Sequence, residues 1–352
     1  MAAARIAPEA LRAFGTDVLT SLGVPEEDGA LVADSLVQAD LWGHQSHGLL
    51  RLPWYAARIR SGAMTARTEP AVLADTGPLV SLDGRDGIGQ VLTERARRTA
   101  VDRARAHGVG VVGVRNSNHF GAAMYFTRRA AEEGCVGVLT TNASPAMAPW
   151  GGREKRLGTN PWSIAAPAPG GRVVAVDIAN TAVARGKIHL AKNRGERIPE
   201  TWALGADGAP TTDPAEGLLG VVLPMAGHKG YAITFMMDVL SGALTGSSVG
   251  TGVHGPYEAD ARSGCGHLFL ALDPIAFGDR DAYEVRVAQL IGEVKEVPLA
   301  QGFDEVFYPG EVEDRAAAGN LAAGGVVLAE QSLADLRALA GETGVPFPEA
   351  AA

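Results

Sequence analysis

Three short Val-rich runs constrain this chain most: VGVVGV at 109–114, CVGVLTTN at 135–142 and VVAVDIA at 173–179. Each is bounded by turn residues and is too short and too β-branched for a helix, so each predicts a strand buried on both faces. FGAAMYFTRRAAEEG, between the first two, has helical apolar spacing. Strand, helix, strand in that order is a βαβ-like unit and predicts an α/β fold. Further strands are predicted in PLVSLDG, after the turn in LGTNPWSIAAP, in GVVLPM and in HLFLALD.

Helices surround this centre. Apolar residues recur every three and four positions in EALRAFGTDVLTSLG and EEDGALVADSLVQADLWG, predicting two opening helices that end at Gly23 and Gly43. A third follows Pro53 in WYAARIRSG, and IGQVLTERARRTAVDRARAHG predicts a long fourth that stops at Gly108. KGYAITFMMDVLSGALTG reads as another, and GGVVLAEQSLADLRALAG as a closing strand and a helix capped by Ser332. GERIPETWALGADGAPTTDPAEG, residues 195–217, is polar and turn-rich and reads as a surface excursion.

Gly108, Gly110 and Gly113 have the G-x-G-x-x-G spacing of a dinucleotide-binding loop. That loop works only when a strand precedes it and a helix opens from its third glycine, because the helix N-terminus holds the pyrophosphate. Here a helix precedes, the glycines fall inside the strand, and VRNSNH follows Gly113. Glu133, at the spacing of a ribose-binding acid, precedes the next strand instead of ending it. The glycines are therefore read as close packing at a loop-to-strand junction.

Composition narrows the partners. Of 352 residues 46% are hydrophobic, enough for a large core, and the net charge of -9 comes without a basic run. Nucleic acid and an anionic membrane surface are excluded as main partners, leaving a small ligand. Two cysteines, Cys135 and Cys265, are too few for a disulfide framework, and no secretion signal or apolar run of about 18 residues is present. A reducing, cytoplasmic setting is expected.

Several polar clusters lie where ligands gather. GHQSHGLLRLPWY holds His44, Ser46, His47, Arg51 and Tyr55 between two helices. If Ser46 to Arg51 is helical, His47 and Arg51 project to one side, a pairing that suits a 2-hydroxy or 2-oxo acid. Arginine grips the carboxylate and histidine exchanges a proton with the neighbouring oxygen. The plain alternative is a capped helix junction. His44 and His47 also form an H-x-x-H pair that, with Asp40 or His119, would be half of a metal site.

RNSNHFG places Arg115, Asn116, Ser117, Asn118 and His119 at the carboxyl end of a strand and before a helix, an edge that favours anions. Asn118 is alternatively an N-cap. Thr159, Asn160 and Pro161 mark another tight turn, and Asp177, Asn180 and Lys187 repeat the strand-edge pattern. His228 and Lys229 open the long apolar helix. Pro309, Gly310 and Glu311 form a turn whose acid can hold a ribose hydroxyl or simply face solvent.

SHGLLRLPWY, NSNHFGAAMYF, GTNPWSIAAP, VDIANTAVARGKI, GHKGYAI and YPGE, in this order over residues 46–311, resemble the type 2 malate/L-lactate dehydrogenase family, the sulfolactate-dehydrogenase-like oxidoreductases. The resemblance implies an NAD- or NADP-dependent enzyme that moves a hydride between nicotinamide and C2 of a 2-hydroxy acid, 2-oxo acid or cyclic imino acid. It implies a non-Rossmann α/β cofactor domain with a mixed, mostly buried sheet, flanked by helical segments, in a homodimer.

By motif it makes His47 the acid/base, Ser46 its hydrogen-bonding neighbour and Arg51 the carboxylate anchor. Thr159, His119 and Tyr55 become substrate contacts. Asn116, Ser117, Asn118, His119, Asp177, Ile178, Ala179, His228, Lys229, Pro309, Gly310 and Glu311 become cofactor residues, and no metal is implied. Some imino-acid reductases of the family carry an acid after DIA; Lys187 stands in that turn here, which favours hydroxy and oxo acids.

The expected organisation is a helical segment at 1–75 that contributes catalytic residues, an α/β cofactor and substrate domain at 76–310, and a segment at 311–352 that packs back on the first helices. A metal-dependent lyase or hydrolase using His44, His47 and His119, and a non-catalytic small-acid or nucleotide-binding protein, are the competing readings.

Overall fold

The computed structural model describes residues 5–349. The chain opens with α1 (Pro8–Ser21) and α2 (Glu26–Leu41), makes short 3-10 turns at Gln45–His47 and Leu49–Arg51, and enters α3 (Leu52–Ser61). β1 (Ala71–Asp75), β2 (Leu79–Asp83), α4 (Gly89–His107), β3 (Val109–Ser117), α5 (Ala123–Glu132) and β4 (Val136–Thr141) follow. β5 (Trp162–Ala168) and β6 (Arg172–Ile178) precede a small lobe of α6 (Arg185–Arg194), β7 (Ala203–Leu204), α7 (Pro214–Leu219) and β8 (Val221–Val222). The chain closes with α8 (His228–Asp238), β9 (Cys265–Leu272), α9 (Arg280–Lys295), α10 (Glu311–Ala322) and α11 (Glu330–Thr343).

One mixed sheet has the order β1-β2-β3-β9-β4-β5-β6, and only its β2–β3 pair is parallel. β3 and β4 run the same way on either side of α5, as the strand–helix–strand reading requires. They do not touch, however. β9 lies between them and antiparallel to both, Leu272 facing Val109 on one side and Val136 on the other.

On one face α4 and α5 bury Leu92, Ala96, Ala100 and Phe126 against Val112, Val114, Leu139 and Phe269. α8 runs on through a π-turn at Val239–Ala243, and Thr245 just beyond it reaches the other face at Gly113. That second cover is thinner, so β3 alternates buried with half-buried residues instead of being dry on both sides. Between α4 and α5 the buried Arg97 guanidinium binds Glu94 at 2.8 Å and Glu133 at 2.6 Å. A second core joins Leu11, Val32, Leu36, Leu49 and Leu52 of the first helices to Leu336 and Leu339 of α11. It anchors the turns that carry His47 and Arg51.

The glycines of the 108–113 motif have structural reasons for being there. Gly108 ends α4 in the left-handed conformation, φ 83°, which glycine adopts without a Cβ penalty. At Gly110 a Cβ would overlap the Ala100 carbonyl oxygen, so the strand passes directly against the backbone of α4.

Other expectations need revision. Ser332 lies inside α11, whose N-cap is Ala329, and the predicted closing strand is a single bridge between Ile6 and Val326. GVVLPM supplies only β8, paired with β7 outside the main sheet. Residues 195–217 are not a bare excursion, for they include β7 and the start of α7 around the small core of Ile188, Ile198, Ala203 and Val222. α9 escapes a pattern search because its apolar Val285 and Leu290 are exposed instead of facing this chain's core.

Candidate active site

Two consecutive 3-10 turns carry the first cluster, one with Ser46 and His47 and the other ending at Arg51. Ser46 Oγ lies 2.8 Å from His47 Nδ1, and Arg51 Nε donates to the Ser46 carbonyl at 2.6 Å. The guanidinium sits 4.4 Å from the centre of the Trp54 ring, which holds it flat. His47 Nε2 has no hydrogen-bond partner among the described residues.

His47 and His119 line one pocket, their rings stacked 5.6 Å apart. His119 Nδ1 accepts the Gly121 N–H at 3.2 Å and the Tyr55 hydroxyl at 2.7 Å. A nitrogen that accepts twice carries no proton, so neutral His119 presents Nε2–H as its free donor. Burial first, then the charges of Arg51 and His44, push His47 down to about 3. Burial, Arg51 and His47 hold His119 well below the ordinary histidine range. Both imidazoles are therefore neutral at pH 7.

Thr159, Pro161, Gly121 and Phe120 complete the near wall. No aspartate or glutamate lines the pocket among the described residues, whereas His47, His119 and His254 and the hydroxyls of Thr141, Ser144 and Ser263 do. Such a lining suits an anion.

The other sequence-derived residues do not all converge there. Tyr55 is buried behind His119, and its hydroxyl is spent on that ring. Asn118 gives its amide to the carbonyls of Asp86 and Gly87 and accepts from Arg58, while Ser117 Oγ binds His267 at 2.6 Å. Asn116, at φ 49°, and Arg115 both bind Asp83. Asn160 and Asn180 staple the Thr159 turn through Ala143 N, Thr234 O and the carbonyls of residues 159 and 160.

The anion-binding start expected for α5 is already filled: its N-cap is Ala122, not Asn118, and the Asp177 carboxylate accepts Met124 N–H at 2.8 Å. Ile178 and Ala179 follow at the end of β6. His228 and Lys229 are exposed at the start of α8, where no side chain caps the helix. Pro309 O accepts Ala175 N–H at 3.0 Å, and Gly310 takes φ 94° at the N-cap of α10. Glu311 is held by Lys295 and Arg315, both at 2.9 Å, so its carboxylate is committed. Lys187 is exposed on α6 in the small lobe and lines no part of the His47 pocket. His44 turns to Glu313, 3.4 Å away, and no group of three His, Cys, Asp or Glu side chains among the described residues is arranged to hold a metal.

Asn142 was missed, although it stands where β4 ends, the position that drew attention to Asn116 and Ser117. Its buried amide joins Asp238 and Ser248 O. The wall formed by Val253, His254, Gly255 and Pro256 carries no local signal, because it reaches the pocket only through the course of a loop.

The family model described as malate/L-lactate dehydrogenase matches residues 6–337. The chain is 40% identical over 308 residues to L-sulfolactate dehydrogenase of Methanocaldococcus jannaschii, covering 88% of this chain and 89% of that protein. The solved structure of sulfolactate dehydrogenase from the same organism superposes with a TM-score of 0.93 at 37% identity, covering 97% and 98% of the two chains. Ureidoglycolate dehydrogenase (NAD(+)) of Escherichia coli O157:H7 is 37% identical over 88% of each chain. (2R)-3-sulfolactate dehydrogenase (NADP(+)) of Chromohalobacter salexigens is 39% identical over 74% of this chain and 78% of its own.

The fold and the matches define an oxidoreductase of the NAD(P)-dependent 2-hydroxy acid dehydrogenase class. Within that class, the chain belongs to the malate/L-lactate dehydrogenase family.

Proposed function

We propose that this protein transfers a hydride between NAD or NADP and C2 of a small 2-hydroxy or 2-oxo acid, with His47 as acid/base and Arg51 as carboxylate anchor. The observation that carries the reading is His47 at a pocket without acidic side chains, joined to Ser46 and through the Ser46 carbonyl to Arg51, which themselves stand outside the pocket lining. The donor set fits a dinucleotide, because α8 starts with an uncapped first turn beside the exposed Lys229. His228 and Lys229 would hold its phosphates, whereas the side chains of Asn116, Ser117, Asn118, Asp177 and Glu311 are already spent on protein partners. When bound, the nicotinamide supplies the hydride chemistry.

The chain's own groups then divide the work. Arg51 binds the substrate carboxylate in two hydrogen bonds. That negative charge offsets the Arg51 contribution to the lowering of His47, which adds to the larger effect of burial. His47 Nε2 takes the alcohol proton as hydride leaves C2 and returns it in the reverse direction. His119 is the less suitable base, because the Gly121 N–H opposes a proton on its Nδ1. Its Nε2–H instead donates to the C2 oxygen, and Thr159 is a further substrate contact.

The exposed Phe235 and Met236 of α8 and Val285 and Leu290 of α9 support a homodimer. Two free, buried thiols suit a cytoplasmic setting. No helix among the described residues is long and apolar enough to cross a membrane.

A panel of 2-oxo acids with NADH and NADPH, read at the nicotinamide absorbance, tests the function and selects the cofactor. His47→Ala should lose turnover and keep cofactor binding. An unchanged rate removes His47 from the chemistry, and activity that a chelator abolishes and a divalent metal restores would favour the metal-dependent reading.

A further inference from the structure

Asp40 stands near the end of α2 and is 4% exposed, yet it lines no part of the pocket and has no role in the chemistry above. Its Oδ2 accepts the Leu49 N–H at 2.9 Å. The carboxyl also lies so close to Gly48 that a Cβ there would overlap it. Gly48 has an ordinary extended backbone, φ -87° and ψ -155°, so steric approach and not a left-handed turn demands the glycine.

Gly48 is the joint between two units: the turn before it carries Ser46 and His47, and the turn after it ends at Arg51. The end of α2 grips the near side of this joint too, through His44 N–H to Ala39 O at 2.8 Å and Gly43 N–H to Asp40 O at 3.0 Å. A buried carboxyl with one hydrogen bond is costly to keep, and burial pushes Asp40 up to about 7. An apolar residue would fill the space more cheaply but would leave the Leu49 amide unpaired.

We infer that Asp40 is a positioning residue: wedged between Gly48 Cα and the Leu49 N–H, it sets the angle between the turn carrying His47 and the turn carrying Arg51. Both side chains then address one substrate, the carboxylate held by Arg51 and the C2 oxygen facing His47. This rests on the dehydrogenase reading of the site. Misplacing reacting groups by about 1 Å costs up to ~100-fold in rate.

The test compares Asp40→Ala, Asp40→Asn and Gly48→Ala in the full-length protein. Rates are normalised to nicotinamide-binding sites titrated by fluorescence, so that loss of folded protein does not enter. Asp40→Ala should lose about 10- to 100-fold in kcat/KM for the best 2-oxo acid while cofactor affinity stays unchanged. Asparagine keeps the shape and still accepts from Leu49 N–H, so Asp40→Asn should stay within about threefold of wild type at pH 7. Gly48→Ala pushes the carboxyl away from the other side and should reproduce the Asp40→Ala defect. Asp40→Ala sites as active as wild type, or Asp40→Asn as impaired as Asp40→Ala, overturn the inference. Wild-type protein that turns over no 2-oxo acid overturns the functional reading and this inference with it.

Discussion

Alanine at Gly110 and at Gly113 should separate the two meanings of the G-x-G-x-x-G stretch. At Gly110 a Cβ overlaps the Ala100 carbonyl oxygen and stands 2.8 Å from its carbon and 2.9 Å from Arg103 Cβ. Two of those three atoms are backbone of α4, which cannot rotate away, so strand and helix must separate. Overpacking of that kind costs about 1–3 kcal/mol, and more where the obstacle is rigid. At Gly113 the nearest atom is Thr245 Cγ2 at 3.5 Å, an ordinary contact. Alanine there also restricts the unfolded chain, worth about 0.4–1 kcal/mol in favour of the fold. With roughly 2–4 °C of Tm per kcal/mol, Gly110→Ala should lower Tm by about 2–12 °C and Gly113→Ala by less than about 2 °C. Differential scanning calorimetry reads the first quantity, and NADH or NADPH fluorescence titration reads cofactor affinity. A phosphate-binding loop requires the reverse ranking, with lost affinity at Gly113 and little change in Tm. If Gly113→Ala abolishes nicotinamide binding at unchanged Tm, or Gly110→Ala melts with wild type, the packing account is wrong.

Arg97→Ala should cost about 3 kcal/mol, the low end for breaking a buried pair, because Glu94 loses its buried partner but keeps Arg98 and Arg129, while exposed Arg98→Ala should cost under about 1 kcal/mol; equal losses in urea unfolding would refute this. His267 is buried between the Ser117 and Thr141 hydroxyls, and burial pushes it down to about 3 from 6.5. The unfolded chain therefore binds the extra proton first, so stability is full above about pH 6.5 and falls as pH drops towards 3, by at most about 5 kcal/mol; His267→Gln should flatten that slope in denaturant midpoints. Asp40 has the opposite sign: its folded form keeps a proton up to about 7 where the unfolded one releases it near 3.8. Stability is lost as pH rises through that window, and Asp40→Asn should gain up to about 4 kcal/mol on wild type between pH 4 and pH 8, with an unchanged difference counting against a buried, titrating carboxyl.

Much of the candidate site was legible because its signals are local. His47 and Arg51 sit in adjacent turns flanked by Gly43 and Pro53, and His119 and Thr159 sit in turns beside strands that their own Val and Pro residues announce. The same local reading overestimated the free polar groups. Asn118, Asn160 and Asn180 have the composition of ligand-binding turns, but their amides hold backbone that packing had left unpaired. Asp177 caps α5 from β6, more than fifty residues away, and Glu311 is neutralised by Lys295 from α9. Side chains that satisfy distant partners look identical in sequence to side chains waiting for a ligand.

Sequence alone determined the elements whose causes lie within a few residues: the amphipathic helices, the left-handed Gly108 at the end of α4, and the order helix, glycines, strand that ruled out a Rossmann loop. Tertiary structure alone decided that β9 enters between β3 and β4, that Asp40 braces the joint between His47 and Arg51, and that the 253–256 loop walls the pocket. Local propensity acts through backbone sterics and neighbouring side chains. Strand neighbours and pocket walls depend instead on which distant surfaces bury each other, a quantity with no periodicity along the chain.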